Sequence, residues 1–279
     1  MKSAKGNDNN AEIFIQTHVK NKERKIKMNK KTVFLCRVIA CLILFCTTVS
    51  AQGFSWYFKP RADGKQPDMC PEADFVKNYN VVTSGDKQSK KIYLTFDAGY
   101  ENGNVEKTLD ILKANDVKGT FFVLPNIVDK NTELCIRMKE EGHLVGNHTV
   151  HHKNMGKIGS FDVFKEEIQP LEKLFYEKTG YEMDKYFRPP EGAFNETTLK
   201  YAQDLGYTTV FWSLAYADWD NNKQMNPDKA KNLLISRMHN GCVLLLHPTS
   251  KTNADMLDGF IKELKGQGYE FATVDELGK

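Results

Sequence analysis

From Lys91 onward, short apolar runs recur at 92–96, 120–124, 143–146, 186–187, 208–214, 243–246 and 269–274. Each is too short for a buried helix and reads as a strand. Between the runs lie stretches with apolar residues at helical spacing. Asn104 to Asn115 carries Val105, Leu109 and Leu112 on one face, and further helices are predicted at 132–141, 160–178, 196–205, 227–239 and 254–265. Several stop at a glycine (Gly142, Gly180, Gly206, Gly241, Gly266), the residue that most easily takes the left-handed backbone of a helix end. Ser160 is a natural N-cap, and Pro170 predicts a kink inside the helix that follows. Strands alternating with helices predict parallel βαβ units in an α/β fold, as an open doubly wound sheet or a barrel. In both architectures ligands bind at the C-terminal ends of the strands.

Upstream the texture differs. Pro60, Pro67, Pro71 and a polar stretch from Thr83 to Lys90 predict an irregular arm over 52–90, partly ordered by Phe54, Trp56, Tyr57 and Phe58. Before it, Val33 to Val49 is nearly continuous apolar sequence broken by Arg37, preceded by Lys30 and Lys31 and followed by Val49-Ser50-Ala51. That order predicts a secretory signal peptide, with an uncleaved N-terminal anchor as the competing reading. The run falls short of the ~20 residues of a spanning helix. Residues 28–51 alone would make a compact signal, so Met28 is an alternative start. The expected organisation is a leader over 1–51, the arm over 52–90 and one functional domain over 91–279, with any membrane contact confined to the leader.

Composition adds two constraints. The 279 residues are 41% hydrophobic and 27% charged, an ordinary globular balance. The net charge of +3 conceals an asymmetry: residues 1–51 hold ten Lys and Arg against three acids, and the rest holds 29 against 33. A nucleic-acid binder places its basic surface on the folded part, so this class is excluded. Cys36, Cys41 and Cys46 fall in the leader, leaving Cys70, Cys135 and Cys242, an odd number that argues against a disulfide framework. Cys135 and Cys242 lie in apolar contexts and are expected in the core.

The candidate chemistry gathers at strand ends. Asp97 closes the first run, His148 and His152 follow the third, Arg188 the fourth, Asp218 and Asp220 the fifth, and His247 the sixth. His148 and His152 are four apart, which sets both imidazoles on one side of a turn as a workable pair of metal ligands, while His151 points elsewhere. A buried Asp97 beside a cation would stay ionised and accept a proton from water. Arg188 precedes two prolines, a stiff extended setting for a positioned side chain. Asp218 or Asp220 would orient the ring of His247. Two other classes remain open: a glycosidase using Asp97 and Asp218 as paired carboxylates, which leaves the two imidazoles idle, and a glycan-binding module without catalysis.

Together these motifs resemble the NodB-homology polysaccharide deacetylases, carbohydrate esterase family 4. The family pattern T-F-D-D-G, H-[ST]-x-x-H, R-x-P-x-G, D-x-x-D-W and L-x-H corresponds, in order, to Thr95–Gly99, His148–His152, Arg188–Gly192, Asp218-Trp219 and Leu245–His247. The resemblance covers Lys91 to Leu277 and implies a distorted (β/α)7 barrel. It implies Asp97 as catalytic base, His148 and His152 as ligands of a divalent metal ion, Arg188 as holder of the base, and Asp218 as partner of a general acid His247. Tyr100, Pro190, Trp219 and Leu245 are implied as substrate-pocket residues. Two positions depart: Ala98 stands where the family has a metal-ligating Asp, which weakens the expected site and opens the identity of the ion (zinc or another), and Ala215 replaces the first Asp of D-x-x-D-W. The run Ala98-Gly-Tyr-Glu-Asn-Gly103 and the aromatic arm resemble the sporulation branch that deacetylates muramic acid in peptidoglycan. The implied partner is therefore the peptidoglycan glycan strand, met outside the cytoplasm.

Overall fold

The computed structural model describes residues 52–277; the expectations for the signal peptide, the start site and Cys36, Cys41 and Cys46 lie outside them. Among the described residues no helix is long and apolar enough to cross a membrane.

Among the described residues twelve strands run in chain order: β1 (Phe54–Ser55), β2 (Phe58–Lys59), β3 (Asp68–Met69), β4 (Val81–Val82), β5 (Lys91–Ala98), β6 (Thr120–Val123), β7 (Leu144–Asn147), β8 (Tyr186–Phe187), β9 (Ala193–Phe194), β10 (Thr208–Val210), β11 (Cys242–Leu246) and β12 (Glu270–Ala272). The α-helices are α1 (Asn104–Ala114), α2 (Pro125–Lys130), α3 (Thr132–Glu140), α4 (Phe161–Thr179), α5 (Glu196–Asp204), α6 (Pro227–Ser236) and α7 (Lys251–Gly266). The main sheet has eight strands in the order β11-β5-β6-β7-β8-β10-β4, with β12 also on β5, and its pairings are parallel. It curls until Leu214, beyond β10, bridges in parallel to Leu244 of β11. The expected distorted barrel is thus a curled parallel sheet whose two flanks meet through a short bridge.

Alternation along the strands sorts the side chains. In β5, Ile92, Leu94, Phe96 and Ala98 pack into the large apolar cluster with Val105, Leu109 and Leu112 of α1. Tyr93 joins a second cluster inside the curl with Phe122, Val210 and Val243. Thr95 and Asp97 share the parity of Tyr93, so the inner face turns polar toward the C-terminal end of β5. In β11, Leu244 and Leu246 likewise face the helices, while Val243 lies in the inner cluster. The pairing of Leu245 with Thr95 and Leu246 with Phe96 then brings His247 beside the end of β5.

Three features add to the sequence reading. Helix α4 runs unbroken through Pro170. The proline and Glu166 are both exposed, so the Glu166 carbonyl that the proline leaves without its helical donor lies on the solvent face. Helix α2 has no counterpart in the sequence pattern, because its six residues are too few to show a period. The arm is tied to the body: Phe54 pairs with Phe194, Trp56 stacks on Phe211 at 4.5 Å between centroids, and β4 extends the sheet edge at β10. Gly192 makes the seat of Trp56 possible, because a Cβ there would lie 2.9 Å from that of Trp56. Cys70, Cys135 and Cys242 are free and buried.

Candidate active site

A cavity of about 760 Å³ opens at the C-terminal ends of the strands, lined by Asp97, His148, His152 and His247 and walled by Tyr100, Leu124, Trp212, Tyr216, Trp219 and Leu245. Asp97 sits at its floor. Arg188, fully buried, donates from one terminal nitrogen to Asp97 Oδ1 at 2.8 Å and from the other to Thr95 Oγ1 at 2.8 Å, while its Nε donates to the Val210 carbonyl at 3.0 Å. Its guanidinium lies 4.3 Å over the ring of Phe122. The Thr95 hydroxyl in turn donates a hydrogen bond to the Leu244 carbonyl at 2.7 Å. The guanidinium is therefore locked in plane by groups from several strands, as a forked donor set allows and an ammonium could not match. Burial pushes the Asp97 carboxyl up, but the charge of Arg188, then that of His247, and the Arg188 hydrogen bond outweigh it and hold it below the ordinary carboxylate range. Asp97 is ionised at neutral pH.

His148 follows β7 directly. Its Nδ1–H donates to the Arg188 carbonyl at 2.9 Å, which leaves the Nε2 lone pair facing Asp97 Oδ2 at 3.6 Å. Burial pushes this imidazole down to about 4, so it is neutral. The His152 ring stands 5.2 Å from that of His148, nearly perpendicular. The connecting loop holds two non-glycine residues at left-handed backbone angles, Thr149 (φ 73°) and His152 (φ 53°). Such positions cost about 1–3 kcal/mol each and persist where surrounding bonds over-determine them. One of these bonds is internal: the His152 N–H donates to Thr149 Oγ1 at 3.0 Å.

The His148 lone pair, with the His152 ring alongside, makes a pair of imidazole nitrogens beside the Asp97 carboxylate that could hold a cation. The donor types fit an imidazole-binding divalent ion, with one protein ligand fewer than the three common at catalytic zinc. Ala98 explains the deficit: it is fully buried in the apolar cluster and offers no donor. Among the described residues no group of three His, Cys, Asp or Glu side chains is arranged to hold a metal.

His247 lines the same cavity, at the end of β11 next to the end of β5 that carries Asp97. Asp218 accepts from its Nδ1–H and from its backbone N–H, both at 2.8 Å, and Asn253 donates to the same carboxylate at 2.6 Å. Burial pushes the imidazole down, but the hydrogen bond and charge of Asp218, with the charge of Asp97, raise it overall. Of the two aspartates considered, Asp218 holds the ring, while Asp220 accepts from the Asn222 backbone on the loop. Asp218 stands behind His247 and does not line the cavity, so it cannot serve as a second carboxylate facing a glycosidic bond.

Trp219 is 64% exposed on the rim. Tyr100 also lines the cavity and accepts a hydrogen bond from Asn221 at 2.6 Å. Pro190 is a correction: it is buried and does not line the cavity. It opens the short 3-10 turn Pro190–Gly192, in which Glu191 takes a left-handed backbone (φ 57°) and reaches the cavity in its place. Sequence reasoning misses Thr95 and Asn253 as site residues. Thr95 has a signal, a polar residue at the inward parity of β5. Asn253 has little, because it falls just before the helix that periodicity predicts at 254–265, whereas Ser250 caps α7 from Lys251.

Comparisons with known proteins agree with this geometry. The pattern of the polysaccharide deacetylase family matches residues 84–210. The peptidoglycan-N-acetylmuramic acid deacetylase PdaA of Bacillus subtilis is 37% identical over 251 residues, 88% of this chain and 95% of that protein. A solved structure of Bacillus subtilis PdaA, described as a family 4 carbohydrate esterase, superposes with a TM-score of 0.77 at 40% identity, covering 81% of this chain and 97% of that one. A peptidoglycan-N-acetylglucosamine deacetylase of Bacillus cereus is 33% identical over 73% of this chain and 74% of its own length. With a curled parallel sheet and an Asp-Arg pair, an imidazole pair and an Asp-His pair at its strand ends, the chain belongs to the polysaccharide deacetylases, the amide-hydrolysing family 4 carbohydrate esterases.

Proposed function

We propose that this protein removes N-acetyl groups from the amino sugars of peptidoglycan, with N-acetylmuramic acid as its substrate. The observation that carries the reading is the presence of two proton-handling groups in one cavity, at the ends of adjacent strands: an ionised Asp97 fixed by Arg188, and a proton-retaining His247 fixed by Asp218. A module that only binds glycan needs neither. The substrate assignment rests on the high coverage of the muramic acid deacetylase by this chain.

The roles follow from the atoms. The acetamide enters between Leu245 and Trp219, which take its methyl group. Asp97 Oδ2, the oxygen not engaged by Arg188, takes a proton from water as the water oxygen bonds to the carbonyl carbon. A divalent ion held by His148 and His152 would polarise the carbonyl and acidify that water. Backbone N–H groups near Ala98 to Tyr100 receive the developing oxyanion. The His247 ring, its Nδ1–H committed to Asp218, delivers a proton from Nε2 to the sugar nitrogen as the C–N bond breaks, releasing acetate and a free amine. On muramic acid that amine stands near the lactyl carboxyl, and loss of water would close a δ-lactam. A peptidoglycan substrate supports an extracytoplasmic location, at the wall or spore cortex.

Incubating the protein with peptide-stripped peptidoglycan and a divalent ion, followed by mass spectrometry of the muropeptide sugars, tests this. Loss of one acetyl group from muramic acid is expected, with a further loss of water where the lactam closes. An Asp97→Asn variant is expected to release no acetate yet retain glycan. Absence of acetate release by the wild type with every divalent ion supplied would leave only the binding module. Release from N-acetylglucosamine alone would move the substrate to the other sugar of the strand.

A further inference from the structure

Glu167 has no part in the chemistry above, yet it is a fully buried carboxylate in the middle of α4. Its partners come from one short segment, that around the candidate ligands His148 and His152. Glu167 Oε1 accepts from His151 Nδ1 at 2.9 Å and from Lys153 Nζ at 2.8 Å. Oε2 accepts from the backbone N–H of His151 at 3.0 Å, and the Glu167 carbonyl accepts from the Val150 N–H at 2.9 Å. Residues 150, 151 and 153 are thus all tied to one glutamate. The residues they flank, Thr149 and His152, are the two left-handed positions of the loop. His151 and Lys153 are themselves exposed, so their polar ends close over the carboxylate as a cover. A neighbouring bond of the same kind starts from the strand: Asn147 Nδ2 donates to the Ile168 carbonyl, and its Oδ1 accepts from the Thr149 N–H.

We propose that Glu167 is the positioning residue of the imidazole pair: it pins the 150–153 segment to α4 and thereby holds the His152 ring beside His148 in the geometry that binds a divalent ion. The inference rests on the metal role assigned to these imidazoles above, but its structural half stands without it. A buried carboxylate is unfavourable without its partners, so the segment cannot lift away while Glu167 stays charged and dry. The loop keeps its two left-handed residues because departure would strand that charge. His152 is exposed, and its position depends on this anchor more than that of His148, which is buried and whose Nδ1 is already fixed by the Arg188 carbonyl.

Glu167→Gln keeps the size of the side chain and removes the charge. Two measurements on the full chain separate positioning from general stability. Amide hydrogen exchange followed by mass spectrometry should accelerate at least tenfold across 148–153 while β5 and the first turn of α7 keep wild-type rates. Titration of metal-free protein with Zn2+ alone should show affinity about 10–100-fold weaker, the range seen when groups orienting metal ligands are lost. Wild-type exchange across the loop, or Zn2+ affinity within twofold of wild type, would overturn the proposal. If Glu167→Gln does not fold, the double variant His151→Ala, Lys153→Ala, which alters exposed side chains only, reads the same loosening. If wild-type protein binds no Zn2+, the exchange experiment alone decides the anchoring role, and the result counts against the metal-assisted reaction instead.

Discussion

Asp218 grips His247 at two points, taking one hydrogen bond from the ring Nδ1–H and another from the backbone N–H, each 2.8 Å long. The double contact fixes the tautomer as well as the ring plane, so the cavity-facing nitrogen is the one that carries the labile proton. It also raises the imidazole above its ordinary value, the direction that keeps a general acid protonated near neutral pH.

The alkaline limb of the rate profile should therefore belong to His247. A raised value means that the protonated form, and with it activity, persists as pH rises through the ordinary histidine range and is lost above it. Asp218→Asn removes the charge that raises it, so the alkaline limb of kcat/KM should move to lower pH, and kcat should fall by about 100-fold, within the usual range for acid–base groups. An unshifted limb in this variant would assign the proton donor elsewhere.

Arg188 is predicted to carry stability and activity together. Removing one partner of a buried ion pair strands the other, at a cost of about 3–5 kcal/mol. Arg188→Met should lower Tm sharply and abolish acetate release, and Arg188→Lys should recover little of either, because one ammonium cannot reach Asp97, Thr95 and the Val210 carbonyl at once. Thermal unfolding and acetate assays on the two variants check this; full rescue by lysine would show that charge alone suffices.

Trp219 should behave in the opposite way. With most of its surface in solvent it contributes little to folding, so Trp219→Ala should leave unfolding free energy within about 0.5 kcal/mol of wild type. Losing a ring face at the substrate should raise KM by up to about tenfold with a smaller change in kcat, given the ~0.5–1.5 kcal/mol of an aromatic contact. Steady-state kinetics separate the two parameters; a collapse of kcat at unchanged KM would make Trp219 part of the chemistry.

Pro170 tests the reading of α4. Its exposed ring interrupts a helix that continues regardless, so Pro170→Ala restores a backbone donor and should stabilise the protein by about 1–3 kcal/mol in urea unfolding. A neutral or destabilising result would mean that the helix is shaped around the proline.

Much of the site was legible along the chain because a strand has a period of two and parallel βα units present ligands at strand ends. Asp97, His148, Arg188 and His247 each follow an apolar run, and one register, Leu245 opposite Thr95, suffices to set His247 near Asp97. The α/β class, the strand positions and the types of the reacting groups were thus determined by the sequence itself, through local periodicity.

Partnership between distant residues was decided only by the tertiary structure. Whether Asp218 or Asp220 meets His247, whether Arg188 is a surface ion or a fully buried one, whether Pro190 or Glu191 reaches the cavity, and that Asn253 and Glu167 stand behind the reacting groups all depend on how far the sheet curls and how each loop turns. Periodicity reports which face a side chain takes. It carries no information on which of two neighbours in a loop lies within hydrogen-bond reach of a residue far away along the chain, because that distance is set by packing summed over the whole fold.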